Sequence, residues 1–188
     1  MLTVQPLTSS RWTDFEKLFG PRGACCGCWC MYWRLAHKQF NQQTGDLNRN
    51  SMQTLVDSGV IPGLLAYQDG VAGGWCSVAP RSEFPTLARS RILKPVDEQP
   101  VWSIVCFFIA RTHRRKGLTV QLLQAALEYA RSNGAKILEG YPVDPKAAKT
   151  PDAFAYTGLS SAFLQAGFHE VARRSETRLI MRYFLTPD

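Results

Sequence analysis

Apolar and polar residues alternate loosely over residues 2–8, the pattern of an edge strand. Ser10 then stands where a helix cap is wanted, and Trp12, Phe15 and Phe19 follow on one helical face. After Lys38 the chain turns polar to about residue 50, where Asn50 or Ser51 starts a short helix ending at Gly59. Residues 61–67 read as a strand, Asp69-Gly70 as a tight turn and residues 71–79 as the partner strand. Residues 80–100 carry four prolines, which predicts a loop or an interrupted helix. Residues 101–110 form a nearly unbroken apolar run, as expected of a strand buried on both faces.

A helix is predicted over residues 115–132. Leu118, Leu122, Ala125, Ala126 and Ala130 mark its stripe, widened by Val120, Leu123 and Leu127, and Asn133-Gly134 ends it. Residues 136–143 read as another strand, and residues 144–157 as a loop. A short helix over 160–166 stops at Gly167, and residues 168–174 and 177–185 close the chain as a hairpin. This order predicts an α/β (α+β) fold: one mixed sheet with helices on both faces, in a single domain spanning residues 1–188. Residues 101–143 are expected to form a right-handed strand–helix–strand crossover.

No apolar run approaches the ~18 residues of a membrane span, so no membrane partner is expected. The opening MLTVQPLTSSRW lacks a basic segment followed by an apolar core, which argues against a signal peptide and for a cytoplasmic protein. Four of six cysteines crowd together as Cys25, Cys26, Cys28 and Cys30, unlike a secreted disulfide framework, and read as reduced thiols. A net charge of +7 favours anionic partners. Its placement says more: Arg111, His113, Arg114, Arg115 and Lys116 fall together directly before the long helix.

There a buried strand ends, a basic turn follows, and a helix begins at a glycine. Helix starts leave backbone N–H groups without partners, and the helix dipole favours negative charge. Gly117 lets the backbone approach a ligand closely, and the N–H groups of residues 115–119 are suited to wrap a pyrophosphate. The bland alternative is a basic loop with a helix-initiating glycine. The patterns GxxxxGK[ST] and GxGxxG are absent, which disfavours nucleotide sites of those kinds.

The stretch Arg114-Arg115-Lys116-Gly117-Leu118-Thr119 resembles the Q/R-x-x-G-x-G/A turn of the GNAT superfamily of N-acetyltransferases. The strand over 136–143 and the segment SSAFLQAGF, Ser160 to Phe168, are similar to later elements of that family. The resemblance covers the chain from about residue 60 onward. It implies a mixed, mostly antiparallel twisted sheet with a central strand–turn–helix CoA site. Acetyl-CoA is then the co-substrate, held by Arg114, Arg115, Lys116, Gly117, Leu118 and Thr119. The exposed backbone of Phe107, Phe108 and Ile109 would pair with the pantetheine arm, and one of these N–H groups would polarise the thioester. The acceptor would be an amine of a small molecule or peptide, attacking directly in a ternary complex, and homodimers are common in the family. Two positions depart from the pattern. Thr119 stands where Gly or Ala is usual, and Phe163 where a tyrosine often protonates the leaving thiolate.

An attacking amine must lose a proton. Ile137, Glu139 and Tyr141 alternate on one strand face, so Glu139 is the first candidate base; its alternative role is a salt bridge to an arginine. Tyr156, in the loop before the last helix, is the candidate acid, with Asp144 the weaker choice. CCGCWCMYWR has no second pair of ligands to complete a zinc site, and no metal is expected. It reads as an aromatic and thiol core, or as an acceptor wall built from Trp29, Tyr32 and Trp33 beside Arg34. Two rival functions stay open: a CoA-binding sensor that has lost catalysis, and a basic RNA-binding protein. No recognisable nucleic-acid-binding motif supports the second.

Overall fold

The computed structural model describes residues 1–145 and 155–185. Strand β1 (Leu2–Pro6) leads into helix α1 (Trp12–Phe19), which buries Trp12, Phe15, Leu18 and Phe19. Helices α2 (His37–Gln42) and α3 (Asp46–Asp57) follow the cysteine-rich segment. α2 buries no residue, and α3 starts before the Asn50–Ser51 signal, at a glycine with φ 76°. Polar sequence and a glycine start hide both from a reading of hydrophobic periodicity.

Strands β2 (Gly63–Gln68) and β3 (Val71–Pro80) form the predicted hairpin. Its turn residues Asp69 and Gly70 both have positive φ, as a two-residue hairpin turn with the sheet's own twist requires. The proline-rich stretch holds only a short helix, α4 (Pro85–Ala88). Then come β4 (Trp102–Ile109), α5 (Leu118–Ser132), β5 (Ile137–Gly140), α6 (Ser160–Gln165), β6 (His169–Arg173) and β7 (Leu179–Phe184).

The seven strands form one sheet in the order β1-β2-β3-β4-β5-β7-β6. Only β4 and β5 run parallel; the other neighbouring pairs are antiparallel. Strand alternation divides the core between the two faces. Leu64, Ala66, Cys76 and Val78 pack with α5 and α6 on one face, and Leu65 and Trp75 pack with α1 and the cysteine-rich segment on the other. The predicted fold class is the one observed.

One irregularity positions everything that follows. β4 pairs with β5 only through Trp102, Ser103 and Ile104, opposite Leu138, Glu139 and Gly140. Beyond Ile104 the two strands part. Against β3 the register steps from Val78–Ile104 to Ser77–Cys106, leaving Val105 as an extra residue in β4. Such a bulge re-aims the strand. No helix among the described residues is long and apolar enough to cross a membrane.

Candidate functional site

A cleft of about 1080 Å³ opens where β4 leaves β5. One end is the start of α5. Gly117 has φ 74°, a conformation that glycine adopts without strain, and a Cβ there would meet nothing within 4 Å. The glycine therefore serves the backbone conformation and leaves open space above it. Arg115 shares the left-handed conformation with φ 62°. Two such residues around one turn direct successive N–H groups to the same side. No side chain caps α5 and no acidic residue sits in its first turn, so its positive end is left for an anion. Arg114 donates from Nε to the carbonyl of Ile109 at 3.1 Å, tying the turn to β4. Arg114, Arg115, Gly117, Leu118 and Thr119 line the cleft, and Lys116 is exposed beside them.

Along β4 the peptide groups divide by alternation. The N–H of Phe107 faces the opening, where it donates to the carbonyl of Tyr156 at 2.6 Å. The carbonyl of Ile109 faces it too, as the bond from Arg114 shows. Phe108 sits between them, opposite Trp75 of β3, so its peptide groups point away from the opening. Phe108 contributes its ring to the lining, and the expectation that its backbone serves the cleft is corrected.

Tyr156 lines the cleft, half-buried, and burial pushes its phenol well above the usual range. It carries its proton at neutral pH. Phe163, the departure from the family's usual tyrosine, is fully buried between Phe107 and Phe168. A Cβ on Gly158 would lie 2.7 Å from the Phe163 ring, so a glycine with φ 92° lets the loop carrying Tyr156 press against the core.

Glu139 does not reach the cleft. It pairs with Ser103 on the closed part of the sheet and is 1% exposed. Its oxygens accept from Arg81 Nη1 at 3.0 Å, Tyr141 Oη at 2.7 Å and Arg182 Nε at 2.7 Å. This is the salt-bridge alternative, and the candidate base is corrected to a structural anion. Asp144 is taken by Arg173 at 2.9 Å.

The cysteine-rich segment is coiled tightly, with four non-glycine residues at positive φ: Ala24, Cys26, Trp29 and Cys30. Such backbone persists where surrounding contacts over-determine it. Here Asn48 Nδ2 and the Gly45 N–H both donate to the Gly27 carbonyl at 3.0 Å. Trp29 stacks on Phe19 at 5.7 Å and is 5% exposed, so it belongs to the core under α1; its place in an acceptor wall is corrected. Tyr32 and Trp33 do line the cleft, with Cys25, Cys28, Cys30 and Cys106. All six cysteines are unpaired. Cys30 accepts from the Trp75 indole at 3.2 Å. Hydrogen bonding from Cys106, then from Trp75 and Ser77, holds its thiol down to about 7 against burial. Burial raises the Cys28 thiol to about 11. No group of three metal-binding side chains comes together among the described residues.

Arg178 is a charged cleft residue that no sequence signal marked. It directly precedes β7 and donates from Nη1 to Thr157 Oγ1 at 2.6 Å and to the Tyr141 carbonyl at 3.5 Å. A lone arginine in a hairpin offers no spacing to read.

The sequence model of the Acetyltransferase (GNAT) family matches residues 27–148. Comparison with curated proteins finds no match. Among solved structures, the PaiA N-acetyltransferase of Thermoplasma acidophilum, in complex with coenzyme A, has a TM-score of 0.55 at 10% identity, covering 98% of this chain and 99% of that one. YncA of Salmonella typhimurium, solved with acetyl-CoA, has a TM-score of 0.56 at 15% identity, covering 100% and 98%. A GNAT-family acetyltransferase of Listeria monocytogenes has a TM-score of 0.59 at 9% identity, covering 98% and 95%.

Proposed function

Because the chain belongs to the acetyltransferase (GNAT) family, we propose that it moves an acetyl group from acetyl-CoA to a primary amine that attacks the thioester directly. The observation that carries the proposal is the turn at Gly117. A left-handed glycine with open space above it begins an uncapped helix beside Arg114, Arg115 and Lys116. These residues fit a pyrophosphate: N–H groups and the helix dipole face it, and the basic side chains add charge. The edge of β4 beyond Ile104, where pairing with β5 has ended, fits an extended pantetheine arm.

Phe107 and Ile109 would serve that arm with backbone groups. The Phe107 N–H is the donor for the thioester oxygen, where charge develops during attack. The Tyr156 carbonyl satisfies this donor in the absence of ligand, so the bound thioester takes its place. The Tyr156 phenol, protonated at neutral pH, donates a hydrogen bond to the departing sulfur. The proton leaving the amine goes to water. Among the described residues the lining has three arginines and no carboxylate, which disfavours the ammonium form of a bound amine and so aids that loss.

The test is calorimetric titration with acetyl-CoA of wild type and Gly117→Asn. Asparagine tolerates the left-handed backbone and its Cβ would meet nothing within 4 Å, so the fold is kept at a cost of about 1 kcal/mol. Its side chain enters the space the pyrophosphate needs. Binding by wild type and a fall of at least about tenfold in the variant are expected. Equal affinity would remove the cofactor from this turn, and no binding by folded wild type would sink the proposal.

A further inference from the structure

Among the described residues, the cleft lining holds no aspartate or glutamate. Its three arginines are divided along β4. Arg114 and Arg115 belong to the turn beyond Ile109, whereas Arg178 lies on the Tyr156 side, where its charge acts on the phenol. Arg34, Arg49, Arg81, Arg131, Arg173 and Arg182 each pair with a carboxylate. Arg178 pairs with none among the described residues, although it is half-buried. Thr157 and Tyr141 both take Nη1 and so fix the plane of the guanidinium. The Nε–Nη2 edge has no protein acceptor among the described residues. That edge is the one that receives a carboxylate through two parallel hydrogen bonds. A partly desolvated cation without a counter-ion is costly, and a ligand carboxylate would remove the cost.

Aromatic rings line the same cleft as this cation. Tyr156 meets Tyr32 at 6.5 Å, and Tyr32 in turn meets Trp33 at 5.0 Å and Phe40 at 5.3 Å. Tyr32, Trp33, Phe40 and Tyr156 all line the cleft. Polycationic acceptors find no acidic group among the described lining residues, whereas an acceptor with one carboxylate and one large apolar side chain finds a partner for each.

We propose that Arg178 is the carboxylate-binding residue of the acceptor site, and that the acceptor is an aromatic or large apolar amino acid. This rests on the acetyltransferase reading above. The α-carboxylate sits on the Nε–Nη2 edge of Arg178, the side chain lies against Tyr32, Trp33 and Phe40, and the α-amine faces the thioester. The amine nitrogen forms the new C–N bond as the C–S bond of the thioester breaks. The amine's proton goes to water, and the coenzyme leaves as its thiolate.

Two measurements test it on the whole protein. The first is transfer from acetyl-CoA to phenylalanine and to phenethylamine, which lacks the carboxylate, by wild type, Arg178→Met and Arg178→Lys. Wild type is expected to prefer phenylalanine. Arg178→Met should raise its KM about a hundredfold, leave the KM for acetyl-CoA unchanged and abolish the preference, and Arg178→Lys should recover part of it. The second is calorimetric binding of hydrocinnamate, which has the carboxylate and ring but no amine, to the coenzyme-A-loaded protein. Binding by wild type and not by Arg178→Met is expected. If hydrocinnamate binds through Arg178 but neither compound is acetylated, the carboxylate site stands and the transfer reading falls. Equal use of phenethylamine, a loss confined to acetyl-CoA, or no Arg178-dependent hydrocinnamate binding would each overturn the proposal.

Discussion

Glu139 illustrates how a residue that looks catalytic in one dimension becomes structural in three. Ile137, Glu139 and Tyr141 do alternate along one strand face, but the sheet opens only beyond Ile104, and Glu139 lies opposite Ser103 on the closed part. Its carboxylate is saturated by Arg81, Tyr141 and Arg182. Removing one partner of a buried ion pair strands the other charge. Glu139→Gln should therefore lower stability by roughly 3 kcal/mol in chemical denaturation, while the folded variant keeps the wild-type pH profile of kcat/KM. A lost acidic limb in that profile with unchanged stability would restore Glu139 as a base. The Gly117 turn was legible because its signal is local, a glycine and three basic residues at a helix start. Arg178, Trp29 and Glu139 were misjudged or missed because their surroundings come from distant segments: Thr157 and Tyr141 for Arg178, Phe19 and Trp12 for Trp29.

Among the elements, the segment over 155–158 and strand β4 act together. The backbone of Tyr156 occupies the Phe107 N–H, while its phenol lies in the cleft. These two roles separate experimentally, because phenylalanine keeps the carbonyl and loses the hydroxyl. Tyr156→Phe should lower kcat about a hundredfold and leave the KM for acetyl-CoA unchanged in steady-state kinetics; an unchanged kcat would remove the phenol from the reaction. Elements with strong periodicity or a turn signature were readable in the sequence, among them the β2–β3 hairpin and α5. The predicted loop over 144–157 lies partly outside the described residues. What sequence could not supply was the end of the β4–β5 pairing. Residues 101–110 are apolar throughout, and nothing in an apolar run says at which residue its neighbour departs. The bulge at Val105 is likewise a property of two strands in register, not of either alone.

At the scale of the whole molecule, the network around Glu139 joins parts of the chain that are far apart in sequence. Arg81 follows β3, Glu139 lies in β5, Arg182 in β7, and Asp97 in the proline-rich stretch accepts from Arg182 at 2.6 and 3.1 Å. Hydrogen bonding from Arg182 holds the Asp97 carboxyl down to about 2. A carboxyl whose folded value lies below its unfolded value of ~3.9 adds stability that is fully present above the unfolded value. That contribution disappears as the pH falls from about 4 to about 2. Acidification also raises an already positive net charge of +7, which adds self-repulsion, and in a variant that differs only at position 97 this rise differs by that one charge alone. The comparison of wild type with Asp97→Asn therefore isolates the pair. In urea denaturation followed from pH 6 downward, wild type should be the more stable at pH 6, and the difference should shrink below about pH 4. Curves that stay parallel down to about pH 2.5 would mean that Asp97 contributes packing rather than charge, and that Arg182 is neutralised by Glu139 alone.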